Sequence, residues 1–169
     1  MQQSEAIALI EKGITGEYPQ HWADLGCGAG TFTLALASLL PPESFITAID
    51  KSQQHLPDFS NNIRIDFRKA DFVNELITIS PLDGMLMANS LHFVNNKAKL
   101  IRQLENVFTN SPKFLIVEYD TAKSDPWVPY PISFQKLSDE FASLGYQTLK
   151  LAKSPSRFGG VIYSALAFK

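Results

Sequence analysis

The chain has 169 residues, room for one domain and not for two. It is 45% hydrophobic, 19% charged and 11% aromatic, globular values that exclude a disordered or low-complexity chain. Fifteen basic against 17 acidic residues leave a net charge of −2, without the global field of an electrostatic nucleic-acid binder.

One cysteine, Cys27, can close no intrachain disulfide and build no cysteine-rich zinc site. Met1 to Glu5 lacks the basic start and apolar core of a signal peptide. The most apolar run, Thr31 to Leu40, is too short to span a bilayer. These features predict a cytoplasmic protein without a membrane segment.

Ser4 to Gly13 reads as a helix with Ser4 as N-cap, followed by a loop marked by Gly13, Gly16 and Pro19. His21–Leu25 is a strand that ends at a glycine cluster. A buried helix runs from Gly30 to Leu40 and stops at Pro41-Pro42. Phe45–Ile49 is a second strand ending at Asp50, and Lys51–Leu56 a short helix before Pro57. Ile63, Ile65 and Phe67 alternate with polar residues, giving a third strand that ends near Ala70-Asp71-Phe72.

Leu82–Ala88 reads as a fourth strand, although its glycine argues against it. Lys97–Phe108 is a helix, Lys113–Tyr119 a fifth strand, and Asp120–Pro131 a proline-rich loop. Ser133–Leu144 is a helix with Ser133 as N-cap and Gly145 as its stop. Tyr146–Lys153 and Val161–Phe168 are the last strands, joined by the turn 154–160. Alternating strands and helices imply a doubly wound α/β fold, a parallel sheet with helices on both faces. The last two strands have no helix between them and should pair antiparallel.

The strongest chemical signal is Ala23-Asp24-Leu25-Gly26-Cys27-Gly28-Ala29-Gly30, between a strand and a helix. Glycines permit a tight turn and close approach of a ligand to the backbone, and the helix start presents unpaired N–H groups. The spacing is Gly-x-Gly-x-Gly, not the Gly-x-Gly-x-x-Gly of dinucleotide enzymes. Asp24 would repel a pyrophosphate but not a ligand carrying an ammonium and a sulfonium. Asp50, twenty positions after Gly30 at a strand end, can accept both hydroxyl protons of a ribose or cap the next segment. Asp71 can accept from an adenine amino group with Phe72 as a wall, or serve as a turn residue.

This constellation resembles the class I S-adenosylmethionine-dependent methyltransferases over nearly the whole chain. Ala23–Gly30 matches that family's motif I, Asp50 its ribose acid and Ala70-Asp71-Phe72 its adenine segment. Met87-Ala88-Asn89-Ser90-Leu91-His92-Phe93 is similar to its motif IV. The resemblance implies a Rossmann-like sheet of seven strands in order 3-2-1-4-5-7-6, strand 7 antiparallel. It also implies that Asp24, Gly26 and Gly28 surround the methionine part of S-adenosylmethionine. Asn89 would offer it a backbone carbonyl, and Gly30 and Lys51 complete the donor set. Motif IV departs from the Asn/Asp-Pro-Pro-aromatic form of enzymes that methylate exocyclic base nitrogens or glutamine amides.

His92, just past the fourth strand, is the candidate general base for an acceptor that must lose a proton. His21 and His55 are not placed for chemistry, and the three histidines lack metal-ligand spacing, so no metal is expected. Trp127, Tyr130 and Phe158 are candidate walls for an acceptor, and Arg157 a partner for its carboxylate or phosphate. Each of these has a plainer reading as a packing or solvated residue. Charge and motif IV favour a small-molecule acceptor over nucleic acid, and a protein acceptor stays open. Two other classes compete with the enzyme: a non-catalytic donor-binding module and a dinucleotide-dependent oxidoreductase.

Overall fold

In the computed structural model, which describes residues 1–75, 77–79, 81–157 and 159–169, the apolar runs become the inner strands of one sheet. Its strands are β1 (His21–Leu25), β2 (Phe45–Asp50), β3 (Phe59–Ser60), β4 (Ile63–Lys69), β5 (Gly84–Ala88), β6 (Lys113–Tyr119), β7 (Gln147–Pro155) and β8 (Val161–Phe168). They lie in the order β3-β4-β2-β1-β5-β6-β8-β7. The five strands from β4 to β6 in that order run parallel, and β8 is antiparallel to both its neighbours. Without β3 this is the expected seven-strand order.

The extra strand is a two-residue edge piece, antiparallel to β4. Asn61 and Asn62 make the hairpin, both with left-handed φ (49° and 62°), a geometry that asparagine tolerates.

Helices α1 (Gln3–Ile10) and α2 (Thr31–Ala37) pack on one face, burying Leu9, Ile10, Phe32 and Leu36 against Trp22 and Ile46. Helices α3 (Lys97–Leu104) and α4 (Phe134–Ser143) cover the other face through Leu100, Ile101, Leu137 and Phe141. Alternate β1 residues serve the two faces: Trp22 meets the first layer, Ala23 and Leu25 the second. The glycine in β5 has a steric reason. A Cβ on Gly84 would sit 2.4 Å from the Trp22 indole, which is fully buried.

Several boundaries differ from the sequence reading. Lys51–Leu56 is not helical, although Asp50 accepts the Ser52 N–H at 2.8 Å as a helix cap would: the segment buries no apolar stripe to stabilise so short a helix. The first helix is capped from Gln2, not Ser4, because Glu5 reaches back to the Gln2 N–H at 2.6 Å. α2 stops at Ala37, where the Ser38 and Leu39 N–H groups donate to the Ala35 and Leu36 carbonyls at 3.1 and 3.0 Å and the last turn tightens. Past Leu104 the chain tightens into a 3₁₀ turn over Glu105–Val107. Leu82 leaves the sheet ladder to pair with the Val107 carbonyl and the Thr109 N–H, so β5 begins at Gly84. Ser133 caps α4, and Gly145 follows it with φ 86°.

Candidate active site

The carboxyl ends of β1, β2, β4 and β5 converge, where ligands of open α/β sheets bind. A cavity of about 260 Å³ there is lined by Gly26, Asp50, Lys51, Asp71, Phe72 and Asn89, with Ser90 and Phe93 beside them. Six of the nine proposed donor residues thus share one cleft.

The glycine loop is fixed before any ligand enters. The Gly26 and Cys27 N–H groups donate to the Ile49 carbonyl at 2.8 and 3.0 Å. The Gly28 N–H donates to Asp50 Oδ2 at 2.9 Å. All three glycines take left-handed φ. A Cβ on Gly26 would come within 2.5 Å of Ser90 Cβ, and one on Gly30 within 2.4 Å of Leu56 Cδ2. Gly28 differs, since a Cβ there would meet nothing within 4 Å. Gly26 and Gly30 therefore let the protein close on itself, and Gly28 leaves space open. Asp24, Gly28 and Gly30 do not line the cleft.

Asp24 lies behind the loop, fully buried on the α2 side. Its Oδ2 accepts the Thr33 hydroxyl at 2.6 Å, and its Oδ1 has no partner among the described residues. Burial pushes its carboxyl up to about 7, with nearby Asp50 adding to the effect. Asp50 spends one lone pair of each oxygen on the Gly28 and Ser52 amides, so capping and ligand binding coexist in its carboxylate. Asp71 accepts from the Asn74 side chain at 2.9 Å and the Val73 N–H at 3.0 Å. The Asn74 bond leads in holding its carboxyl below the usual range. Asn89 leaves β5 with φ 53°; its N–H donates to the Val117 carbonyl, and its side-chain oxygen is another buried atom without a partner among the described residues.

A second, larger cavity of about 810 Å³ adjoins the first and shares Asn89 and Phe93 with it. His92, Tyr119, Trp127, Val128 and Val161 form much of its wall, with Asp120, Lys123 and Asp125 at its polar side. His92 lies in the short turn Leu91–Phe93. Its Nδ1 is 2.7 Å from Glu118 Oε2, and its backbone N–H donates to Glu118 Oε1 at 3.1 Å. Both side chains are buried. The loop facing His92 is held from below: the Tyr130 N–H donates to the His92 carbonyl, and the buried Lys97 ammonium donates to the Val94 and Tyr130 carbonyls, both at 2.9 Å.

Of the other sequence candidates, Trp127 lines the larger cavity and is 82% exposed. Tyr130 does not line it, and its backbone N–H donates to the His92 carbonyl. Arg157 lies elsewhere, pairing with Glu5 at 3.3 Å, because the turn after β7 points it toward α1. Phe158 falls outside the described residues. His21 is a core group, stacked on Phe45 and bonded to the Pro81 carbonyl and Thr47 hydroxyl. No cluster of three His, Cys, Asp or Glu side chains suited to a metal occurs among the described residues. None of the helices there is long and apolar enough to cross a membrane.

The sequence reading missed Glu118, Ser90 and Lys97. Glu118 carried a signal: a carboxylate inside the apolar run Phe114-Leu115-Ile116-Val117 must find a buried partner.

The methyltransferase domain family matches residues 21–165, spanning both cavities. The chain belongs to the methyltransferase domain family. Its fold and glycine loop are those of the class I S-adenosylmethionine-dependent methyltransferases. No curated protein sequence matches it. Among solved structures it is similar to YcgJ of Bacillus subtilis, at 11% identity and a TM-score of 0.71 over 98% of each chain. It is also similar to the 1,6-didemethyltoxoflavin-N1-methyltransferase of Burkholderia thailandensis, at 15% identity and a TM-score of 0.73, covering 99% of this chain and 77% of that one. A methyltransferase of Aquifex aeolicus aligns at 14% identity and a TM-score of 0.67, over 99% and 98%.

Proposed function

We propose that this methyltransferase moves a methyl group from S-adenosylmethionine to a small-molecule acceptor, with the donor in the strand-end cleft and the acceptor in the larger cavity. The observation that carries the reading is the open space at Gly28 beside a carboxylate, Asp50, that already fixes the loop and still has lone pairs for two ribose hydroxyls.

The rest of the cleft suits the same ligand. Asp71 has lone pairs left for an adenine amino group, and Phe72 supplies an apolar wall. The Asn89 carbonyl is the acceptor for the methionine ammonium. Lys51 borders the rim of the cleft, while Gly26 and Gly30 shape the loop. Asp24, with its unpartnered Oδ1, becomes a full negative charge behind the loop when a cationic ligand draws off its proton. When bound, S-adenosylmethionine supplies an electrophilic methyl carbon that needs no further activation. The chain's own work is to bind, orient and exclude water, and orientation alone is worth up to about 7–11 kcal/mol in ideal cases.

A small molecule is favoured because the 810 Å³ cavity falls in the range of such ligands and its wall is apolar and aromatic. A net charge of −2 and the cavity's Asp120 and Asp125 disfavour nucleic acid. The test is calorimetric titration with S-adenosylmethionine, S-adenosylhomocysteine and NAD. Saturable binding of both adenosyl ligands and none of NAD is the expected result; binding of NAD alone, or of nothing by folded protein, refutes the assignment.

A further inference from the structure

We infer that Glu118 fixes His92 as a general base facing the larger cavity, and that the acceptor is a planar ring compound methylated on an ionisable hydroxyl. The inference rests on the donor assignment above and adds the acceptor's class.

The tautomer follows from the hydrogen bonds. A carboxylate only accepts; one Glu118 oxygen accepts the His92 backbone N–H, and the other lies 2.7 Å from Nδ1, which must then donate. The proton of the neutral ring is therefore on Nδ1, and the lone pair is on Nε2. Nε2 has no hydrogen-bond partner among the described residues, and His92 lines the cavity where it meets the donor cleft at Asn89 and Phe93. The other charged and titratable groups around it are occupied or set back. Asp120 accepts the Phe134 N–H and faces Lys150. Asp125 accepts the Trp127 and Val128 N–H groups. The buried Lys97 ammonium is bound to carbonyls. Lys123 and Tyr119 belong to the cavity wall, and among the described residues neither is hydrogen-bonded to the imidazole; Tyr163, near Glu118, donates its hydroxyl to the Ile132 carbonyl.

The chemistry that needs this base is narrow. An amine attacks with its own lone pair, and a carboxylate or thiolate arrives ionised. A hydroxyl is a poor nucleophile until its proton leaves. An aromatic hydroxyl, ionising near pH ~10 like tyrosine, is within reach of an imidazole, and an aliphatic one is not. The wall of Phe93, Tyr119, Trp127, Val128 and Val161 offers flat apolar surfaces to a ring. In the transfer, the hydroxyl proton passes to Nε2 and the oxygen bonds the methyl carbon. The carbon–sulfur bond breaks with its electron pair left on sulfur, giving S-adenosylhomocysteine. Glu118 stabilises the imidazolium, which then loses its proton to solvent.

Glu118→Gln tests the dyad with little change in shape. The His92 backbone N–H can only donate, so the new amide must keep its oxygen there and turn its NH₂ to Nδ1. Nδ1 must then accept, the ring proton moves to Nε2, and the base is lost although the bonds are kept in number. Nitrogen-15 NMR of the ring should show the Nδ1–H tautomer in the wild type and the Nε2–H tautomer in Glu118→Gln. With 1-naphthol, 7-hydroxycoumarin and 8-hydroxyquinoline as acceptors and 1-naphthylamine as control, transfer to at least one hydroxyl is expected. Glu118→Gln and His92→Gln should lower it by about 10²–10⁴-fold. The deficit should shrink at pH values where the probe is already ionised, which a merely structural defect would not do. Calorimetry with S-adenosylhomocysteine separates the two readings. No binding overturns the donor assignment and this inference with it. Normal binding overturns this inference alone if no hydroxyl probe is methylated, if only 1-naphthylamine is, or if the tautomer is the same in both proteins.

Discussion

Replacing Asp24 by Asn removes a buried ionisable group without removing volume. In the folded chain, burial raises this carboxyl from 3.8 to about 7. The folded state therefore holds a proton that the unfolded chain has released throughout that window. Stability falls as pH rises through it and levels off above the folded value. Three pH units at about 1.4 kcal/mol each amount to roughly 4 kcal/mol, felt in full above pH ~7. Asp24→Asn lacks this loss, and its side-chain oxygen can still accept the Thr33 hydroxyl. Urea unfolding of both proteins at pH 5, 6, 7 and 8 isolates the effect, because every other titrating group cancels in the difference. The wild type should lose about 2 kcal/mol relative to the variant between pH 5 and pH 7, and only a few tenths more by pH 8, because the carboxyl is half titrated at its folded value. Parallel stability curves would refute the reasoning and mean that Asp24 is ionised in the folded chain well below neutrality.

The same carboxyl should respond to ligand. S-Adenosylmethionine binding near pH 6 should release up to about one proton, seen as a dependence of the calorimetric heat on the buffer's ionisation enthalpy, and Asp24→Asn should abolish it. Asp50→Ala should weaken S-adenosylhomocysteine binding by about ten- to a hundredfold, the worth of one charged hydrogen-bond acceptor, with circular dichroism unchanged. Gly84→Ala should cost about 1–3 kcal/mol in denaturant unfolding, since the new methyl meets the buried Trp22 ring at 2.4 Å. Lys97→Met should free the loop carrying Trp127, leaving the Val94 and Tyr130 carbonyls without their donor. It should raise the acceptor KM while S-adenosylhomocysteine affinity stays within about twofold, and lower stability by about 1–3 kcal/mol.

The strands and the donor loop were legible because their causes are local. Runs such as Phe45–Ile49 and Lys113–Tyr119 are apolar through their middles, as strands covered on both faces must be, and their bounds lie within one residue of the structure. The glycines between β1 and α2 mark a turn whose φ values few other residues adopt. Where the reading failed, local features or missing burial decided. The Lys51 segment buries too little apolar surface to hold a helix, the last turn of α2 tightens as the Leu39 N–H donates to the Leu36 carbonyl, and Asn61-Asn62 folds back an unforeseen edge strand.

The acceptor side was harder to read because its parts meet only through the sheet. His92 and Glu118 are 26 positions apart, and neither spacing nor periodicity links them. They meet because β5 and β6 pair with Ala88 beside Val117. The ladder then ends in the bond from the Asn89 N–H to the Val117 carbonyl, and the left-handed turn at Asn89 folds the next residues over the end of β6. A one-residue slip of that register would send Glu118 to the opposite face of the sheet, away from the imidazole. Asn89 thus governs both cavities. Its carbonyl is the proposed acceptor for the donor's ammonium, and its backbone turn brings the proposed base over its carboxylate. Asn89→Ala should therefore impair both halves together, raising the S-adenosylhomocysteine Kd and disturbing the His92 tautomer seen by nitrogen-15 NMR. Asn89→Gly, which accepts φ 53° without strain, should restore the tautomer. Recovery with Gly and not with Ala would identify the backbone turn, and not the amide side chain, as the element that assembles the dyad.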